Sequence, residues 1–195
     1  MAVVTGLREL RGERVAVELD GARWRTLPID VVARVRLALG DELDRARLRE
    51  LARELRRARA VDTALRAVSR REQSAAELDR RLRRRGFAPG LREETLNRLE
   101  RVGLVDDERY AVRRAESLAE RGQGDDAIRW RLRRDGVPDE VAALALAALP
   151  PETERARRVV AARGRGAGTA RELARRGFGE DAVEEALGPV VADAP

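Results

Sequence analysis

Two arginine clusters are the residues of this sequence best suited to chemistry: Arg80-Arg81-Leu82-Arg83-Arg84-Arg85, and Arg129, Arg131, Arg133 and Arg134 around Trp130. Their chemistry is recognition, because a guanidinium presents a planar fork of donors to carboxylate or phosphate and stacks on aromatic rings. Part of the first run compensates itself: Glu77 to Arg81 and Asp79 to Arg83 stand four apart in the favourable order on a helix. Arg80 and Arg84 share a face without an acid at that spacing, and Arg133 and Arg134 do likewise around Trp130, with Arg129 beside them. The pattern fits either a solvated face or an interface with protein or nucleic acid, and Trp130 can face outward or pack on an adjoining unit.

Other chemistries find little support. The 195 residues include no Cys and no His, which removes thiolate and imidazole catalysis, disulfides and Cys/His zinc sites. Asp106-Asp107-Glu108 reads as the start of a helix, where acids accept from free N–H groups, and not as a metal or acid/base cluster. Gly164-Arg165-Gly166-Ala167-Gly168 lacks both the preceding strand and the following Lys-Ser/Thr pair of a phosphate loop, so it reads as a turn. Ser74-Ala75-Ala76-Glu77 has the spacing of a capping box. These observations predict a protein without enzymatic activity, cofactor or metal.

The elements that position these groups are mainly helical. With 3% aromatic residues, the core must be built from Leu, Val, Ile and Ala. All 41 basic residues are arginine against 35 acids, a bias that a GC-rich codon pool produces without functional meaning, but the excess of +6 lies wholly between residues 31 and 118. Residues 3–30 read as a three-stranded meander, with Arg14 to Leu19 alternating and Asp20-Gly21 as a hairpin turn. Val31, Val32, Val35 and Leu39 then predict a helix over Ile29 to Leu39 that ends at Gly40. After Asp41 or Asp44 a long amphipathic helix places Leu48, Leu51, Ala52, Leu55, Ala58, Val61, Leu65 and Val68 on one side. No run approaches the ~18 apolar residues of a membrane span and Met1 to Leu10 is not laid out as a signal peptide, so the chain reads as cytoplasmic.

From residue 69 the chain repeats itself. At an offset of 50, Arg71, Gln73, Arg81, Leu82, Arg83, Arg84 and Gly86 recur as Arg121, Gln123, Arg131, Leu132, Arg133, Arg134 and Gly136, with Leu78 in register with Ile128. A fainter third copy returns Leu132 and Gly136 as Leu173 and Gly177. Each copy runs a short helix with an apolar inner face (Leu78/Leu82, Ile128/Leu132, Ala170/Leu173) to a stopping glycine, after which Phe87, Val137 or Phe178 folds back. Second helices follow, carrying Leu91, Leu96 and Leu99, then Val141, Leu144 and Leu146, then Ala182, Val183 and Leu187. The expected organisation is an N-terminal β element with helices at 1–60, helical units at 61–118, 119–149 (sharing the preceding helix) and 150–188, and a tail at 189–195. Tandem three-helix units of this kind stack into an elongated, curved array.

Ser69 to Leu78, the helix end at Leu82 to Gly86, Gly103-Leu104-Val105-Asp106-Asp107-Glu108-Arg109-Tyr110-Ala111, and Arg121-Gly122 through Leu132 to Gly136 resemble the RecX family. The resemblance is specific over 61–149 and looser over 150–188, where Thr169 replaces Leu78 and Ile128. It implies a monomeric regulator in DNA recombination and repair. Its partners would be RecA and the RecA–DNA filament, in whose groove it would lodge to block ATPase, strand exchange and coprotease action. The partner-binding expectation falls on Arg80, Arg84, Arg129, Trp130, Arg131, Arg133 and Arg134. A stand-alone helical-repeat protein that binds DNA without RecA is the competing expectation.

Overall fold

The computed structural model describes residues 1–188; the expected tail, 189–195, lies outside the described residues. The chain divides into two bodies, one made of residues 1–70 with 81–98 and the other of 71–80 with the chain from 99 onward.

The first body opens on a sheet. Strands β1 (Ala2–Leu10), β2 (Arg14–Leu19) and β3 (Ala22–Pro28) form the expected meander, and Asp20 and Gly21 both take positive φ, the twist a two-residue hairpin turn requires. A short fourth strand, β4 (Glu42–Leu43), pairs antiparallel with Ala2 and Val3, so the order is β3-β2-β1-β4. This strand changes the reading of the segment before it. Helix α1 (Ile29–Arg34) stops well short of Leu39, which is 64% exposed. The chain turns at Arg36, drops Leu37 into the core, and brings Gly40 N–H to Val4 O and Val4 N–H to Asp41 O. Gly40 therefore serves the approach to β4 and does not cap a helix.

Asp44 accepts from Arg47 N–H and opens α2 (Arg45–Val68), which runs unbroken through residue 60. Its first half lays Leu51 and Leu55 on a core with Val4, Val15, Val17, Leu27, Val31 and Leu43. Further along, the buried positions are Ala60, Ala64 and Ala67. The expected set of Val61, Leu65 and Val68 is rotated one residue off this stripe, and Leu48 and Leu65 are exposed. Alanines lie inward because a small side chain lets a neighbouring backbone approach. Helices α3 (Ala75–Arg84) and α4 (Pro89–Arg101) follow.

The second body stacks two three-helix groups: α5 (Asp107–Glu120), α6 (Asp125–Asp135) and α7 (Asp139–Ala147), then α8 (Glu152–Arg163), α9 (Ala167–Arg175) and α10 (Glu180–Leu187). Ile128 and Leu132 are buried with Tyr110, Ala111, Ala142 and Ala145; Leu173 is buried with Ala156, Val160 and Phe178. Leu78 and Leu82 of α3 are fully buried too, as the repeat register requires. In α7 the inward residues are Ala142, Ala145 and Leu146, whereas Leu144, expected inside, is 68% exposed. Each first helix ends as anticipated. Gly86, Gly136 and Gly177 take φ of 78°, 91° and 75°, and the next residue's N–H reaches back to Leu82, Leu132 or Leu173. Among the described residues, no helix is long and apolar enough to cross a membrane.

A recurring junction joins successive groups. The start of α3 is held from two sides: Ala75 N–H donates to Asp107 of α5 at 2.8 Å, and Ser74 Oγ, which caps Glu77 N–H, donates to Asp135 O at the end of α6 at 2.6 Å. Fifty residues on, Asp125 N–H donates to Glu152 of α8 at 2.6 Å, while Gly124 and Asp126 N–H donate to Arg176 O and Gly177 O at the end of α9. The junctions diverge in one buried position. The first holds Tyr110, whose hydroxyl donates to Asp135 at 2.9 Å. The second holds Arg155, which bonds Gln123 O and Pro150 O, pairs with Asp125 and lies 5.9 Å from the Phe178 ring.

Asp106 and Asp107 thus cap two different helices, Asp106 its own α5 through Arg109 N–H and Asp107 the start of α3. Burial raises the Asp107 pKa, partly offset by the Ala75 hydrogen bond. Its charge is therefore a cost in the fold, relieved as pH falls through the raised value toward 3.8. Asp107→Asn keeps the acceptor without the charge and should unfold within about 0.5 kcal/mol of the parent at pH 7, whereas Asp107→Ala should lose about 1 kcal/mol. Denaturant titrations at pH 7 and pH 4 check both. The parent should gain on the Asn variant at the lower pH.

Candidate partner-binding surface

Helix α6 is held inward by Ile128, Leu132 and Asp135, and this fixes which residues it turns to solvent. Asp126, Arg129, Trp130, Arg133 and Arg134 stand at i, i+3, i+4, i+7 and i+8 and form one outer stripe. Trp130 is 59% exposed and is not packed between units. The Arg134 guanidinium lies 5.4 Å from the centre of its ring, a cation–π contact that holds the indole at the surface.

Two arginines of this stripe have acidic partners. Arg129 meets Asp126 at 3.3 Å, and Arg133 makes a two-pronged bond to Asp139 at 2.5 and 3.0 Å. That bond holds the Asp139 carboxyl below its usual range and raises the Arg133 pKa. Both pairs are solvent-exposed, so each contributes little to stability and is readily exchanged for a partner's carboxylate or phosphate.

The remaining expected residues are placed differently. Arg80 is anchored by Nη2 to Asp135 O at 3.0 Å and Arg134 O at 3.4 Å, where a cation suits the carbonyl end of α6. Arg131 lies off the outer stripe, its Nε 4.0 Å from Asp135, beside Tyr110 and with Arg114 at 3.4 Å from the same carboxylate oxygen. Burial and the Asp135 carboxylate push the Tyr110 phenol well above its ordinary pKa, which keeps it a hydrogen-bond donor. Arg84 is exposed and belongs to the other body. The Glu77 carboxylate grips Arg71 at 3.0 and 3.1 Å instead of Arg81, so only the hydroxyl half of the capping box forms as expected. Sequence reasoning passed over Asp135. The only signal was an acid in a run of arginines at the fourth position after Arg131.

The chain resembles known proteins in sequence and in fold. Residues 60–99 match the family model for the first three-helix domain of RecX and residues 106–146 that for the second. The regulatory protein RecX of Mycolicibacterium smegmatis is 39% identical over 103 residues, covering 52% of this chain and 55% of that protein. That of Halorhodospira halophila is 38% identical over 135 residues, covering 64% of this chain and 84% of its own. The match thus spans about half the length of the mycobacterial relative. A crystal structure of regulatory protein RecX superposes with a TM-score of 0.78 at 21% identity, covering 93% of this chain and 97% of the other. RecX from Lactobacillus salivarius gives 0.61 at 18%, covering 68% and 94%. These two likenesses establish the fold.

Proposed function

The chain belongs to the RecX family of regulatory proteins, and from that membership we propose that it binds RecA and the RecA–DNA filament and inhibits its ATPase, strand-exchange and coprotease activities. The observation that carries the mechanism is the outer stripe of α6, where an exposed tryptophan stands among three arginines whose neighbours are at most weakly held. Tryptophan and arginine dominate the energetics of protein interfaces, and a filament offers them acidic side chains and DNA phosphates together. Inhibition comes from binding energy alone: the protein occupies the filament and favours one of its states, with no bond made or broken. In this reading it is a cytoplasmic monomer without catalytic turnover.

Titrating the protein into RecA hydrolysing ATP on single-stranded DNA should suppress hydrolysis at substoichiometric to stoichiometric ratios. A DNA-binding control without RecA separates this from the competing reading. A stacked indole–guanidinium pair also suits unpaired bases, and a stand-alone DNA binder would bind equally without RecA and lose affinity steeply with salt. Unchanged ATPase across a wide range of ratios would refute RecA inhibition.

A further inference from the structure

The N-terminal body holds a cleft of about 710 Å³ between the end of the β2–β3 hairpin and α2. Its floor is aliphatic: Leu27 and Leu55 are buried below, Ala58 and Val61 are half-buried, and Ile29 and Leu65 are exposed at 36% and 38%. Leu55, Ala58, Arg59, Asp62, Leu65 and Arg66 line it from one face of α2, a groove of about 16 Å at 1.5 Å per residue. The exposure of Leu65, against its helical pattern, thus belongs to a groove.

Six arginines line this groove against three acids, Glu13, Asp30 and Asp62. Two arginines are neutralised on the spot, Arg34 by Asp30 at 2.6 Å and Arg66 by Asp62 at 2.9 and 2.5 Å. Arg14 reaches only the Thr26 carbonyl, at 3.4 Å, and Arg25 leans on the Trp24 ring at 5.0 Å. Arg59 and Arg98 make no hydrogen bond or ion pair among the described residues. Guanidinium groups that hold no acid directly, beside exposed aliphatic side chains, select an anionic ligand with an apolar side.

The strand wall adds a further restriction. β3 is the edge of the sheet, and Ile29 N–H donates to Glu13 O, so by alternation Leu27 and Arg25 turn their backbone groups to β2 and Thr26 turns outward. Pro28 has no N–H to offer. The edge can therefore pair with one residue of an extended chain, and side chains must supply the rest of the recognition.

We propose that this cleft binds an acidic segment of a partner protein, with carboxylates on Arg25, Arg59 and Arg98 and aliphatic side chains on Ile29 and Leu65. A peptide fits better than a nucleic acid. The floor offers no aromatic platform for bases, and the exposed aliphatic side chains between the guanidinium groups suit a chain whose charges are interrupted by apolar residues better than a continuous phosphate chain. The site shares no residue with the α6 stripe and stands or falls independently of RecA inhibition.

The test uses the full chain and a fluorescein-labelled ten-residue peptide of glutamates and aspartates interrupted by two leucines, read by fluorescence anisotropy. The parent should bind it, the same peptide with serines for leucines should bind at least fivefold more weakly, and Arg59→Glu with Arg98→Glu should weaken binding at least tenfold. Leu65→Ser, an exposed change that leaves the charges intact, should cost about fivefold with unfolding unchanged, and Trp130→Ala should cost nothing. The proposal is overturned if the parent does not bind, if charge reversal at Arg59 and Arg98 leaves affinity intact, or if a single-stranded oligonucleotide of equal charge displaces the peptide at equal or lower concentration.

Discussion

Gly124→Ala should lower the melting temperature by about 10 °C, although the substitution adds a single methyl group. The φ of Gly124 is −82°, so alanine meets no backbone strain there and the effect isolates a contact. A Cβ at this position would lie inside the van der Waals surface of the Gly177 carbonyl and the Phe178 nitrogen, which are backbone and cannot rotate aside. The end of α9 must withdraw, and with it go the bonds from Gly124 N–H to Arg176 O and from Asp126 N–H to Gly177 O. Two hydrogen bonds at about 1 kcal/mol each and about 2 kcal/mol of overpacking make roughly 4 kcal/mol. At 2–4 °C per kcal/mol for a chain of this size, that is about 10 °C. Gly90→Ala is the control. Gly90 sits inside α4 with open space where a Cβ would go and should be neutral or stabilising by up to about 1 kcal/mol. Equal melting of the Gly124 variant and the parent would show that the junction is looser than its geometry.

The largest functional loss should come from Trp130→Ala combined with Arg134→Ala. Both side chains project from a helix whose inner face is otherwise filled, so their removal should change unfolding by about 0.5–1 kcal/mol at most, the worth of an exposed cation–π pair. If the stripe is the RecA-binding surface, an interfacial tryptophan contributes about 2 kcal/mol, so the concentration for half-inhibition of the ATPase should rise roughly thirtyfold. Arg129→Ala with Arg133→Ala should weaken inhibition less, because those two arginines must first leave Asp126 and Asp139. Arg80→Ala should act otherwise, lowering stability through the lost bonds to Asp135 O and Arg134 O. Undiminished inhibition by the tryptophan–arginine variant would move the RecA surface elsewhere.

What could be read from the sequence was whatever recurs or is local. The offset of 50 located Leu78 with Ile128, Leu82 with Leu132, and the glycine stops, because a repeated inner face and a left-handed stop leave the same residue types each time. Asp106 was legible as a cap since its donor is three residues away. Asp107 and Glu152 were not, because their donors lie 32 and 27 residues away on another helix. Leu144 and Leu65 misled for a different reason. A one-residue shift rotates a helical position by about 100°, and hydrophobicity alone ranks a leucine above the alanines that close packing buries at Ala145 and Ala64. For the surface, the sequence located the arginines but not the acids that hold them, since Asp139 lies across a helix boundary from Arg133.

The junctions also impose an order in time. The start of α3 is completed by Asp107 and by the Asp135 carbonyl, the latter 61 residues downstream of Ser74. At a synthesis rate of roughly 5–20 residues per second, a growing chain holds that helix start by its own Ser74 alone for about 2–6 s, until Asp107 is made, and lacks the Asp135 carbonyl for about 3–12 s. The same delay then passes to α6, whose start waits for Glu152 and for the Arg176 and Gly177 carbonyls. Folding on the ribosome must therefore trail translation by one repeat, each unit being finished by the one made after it.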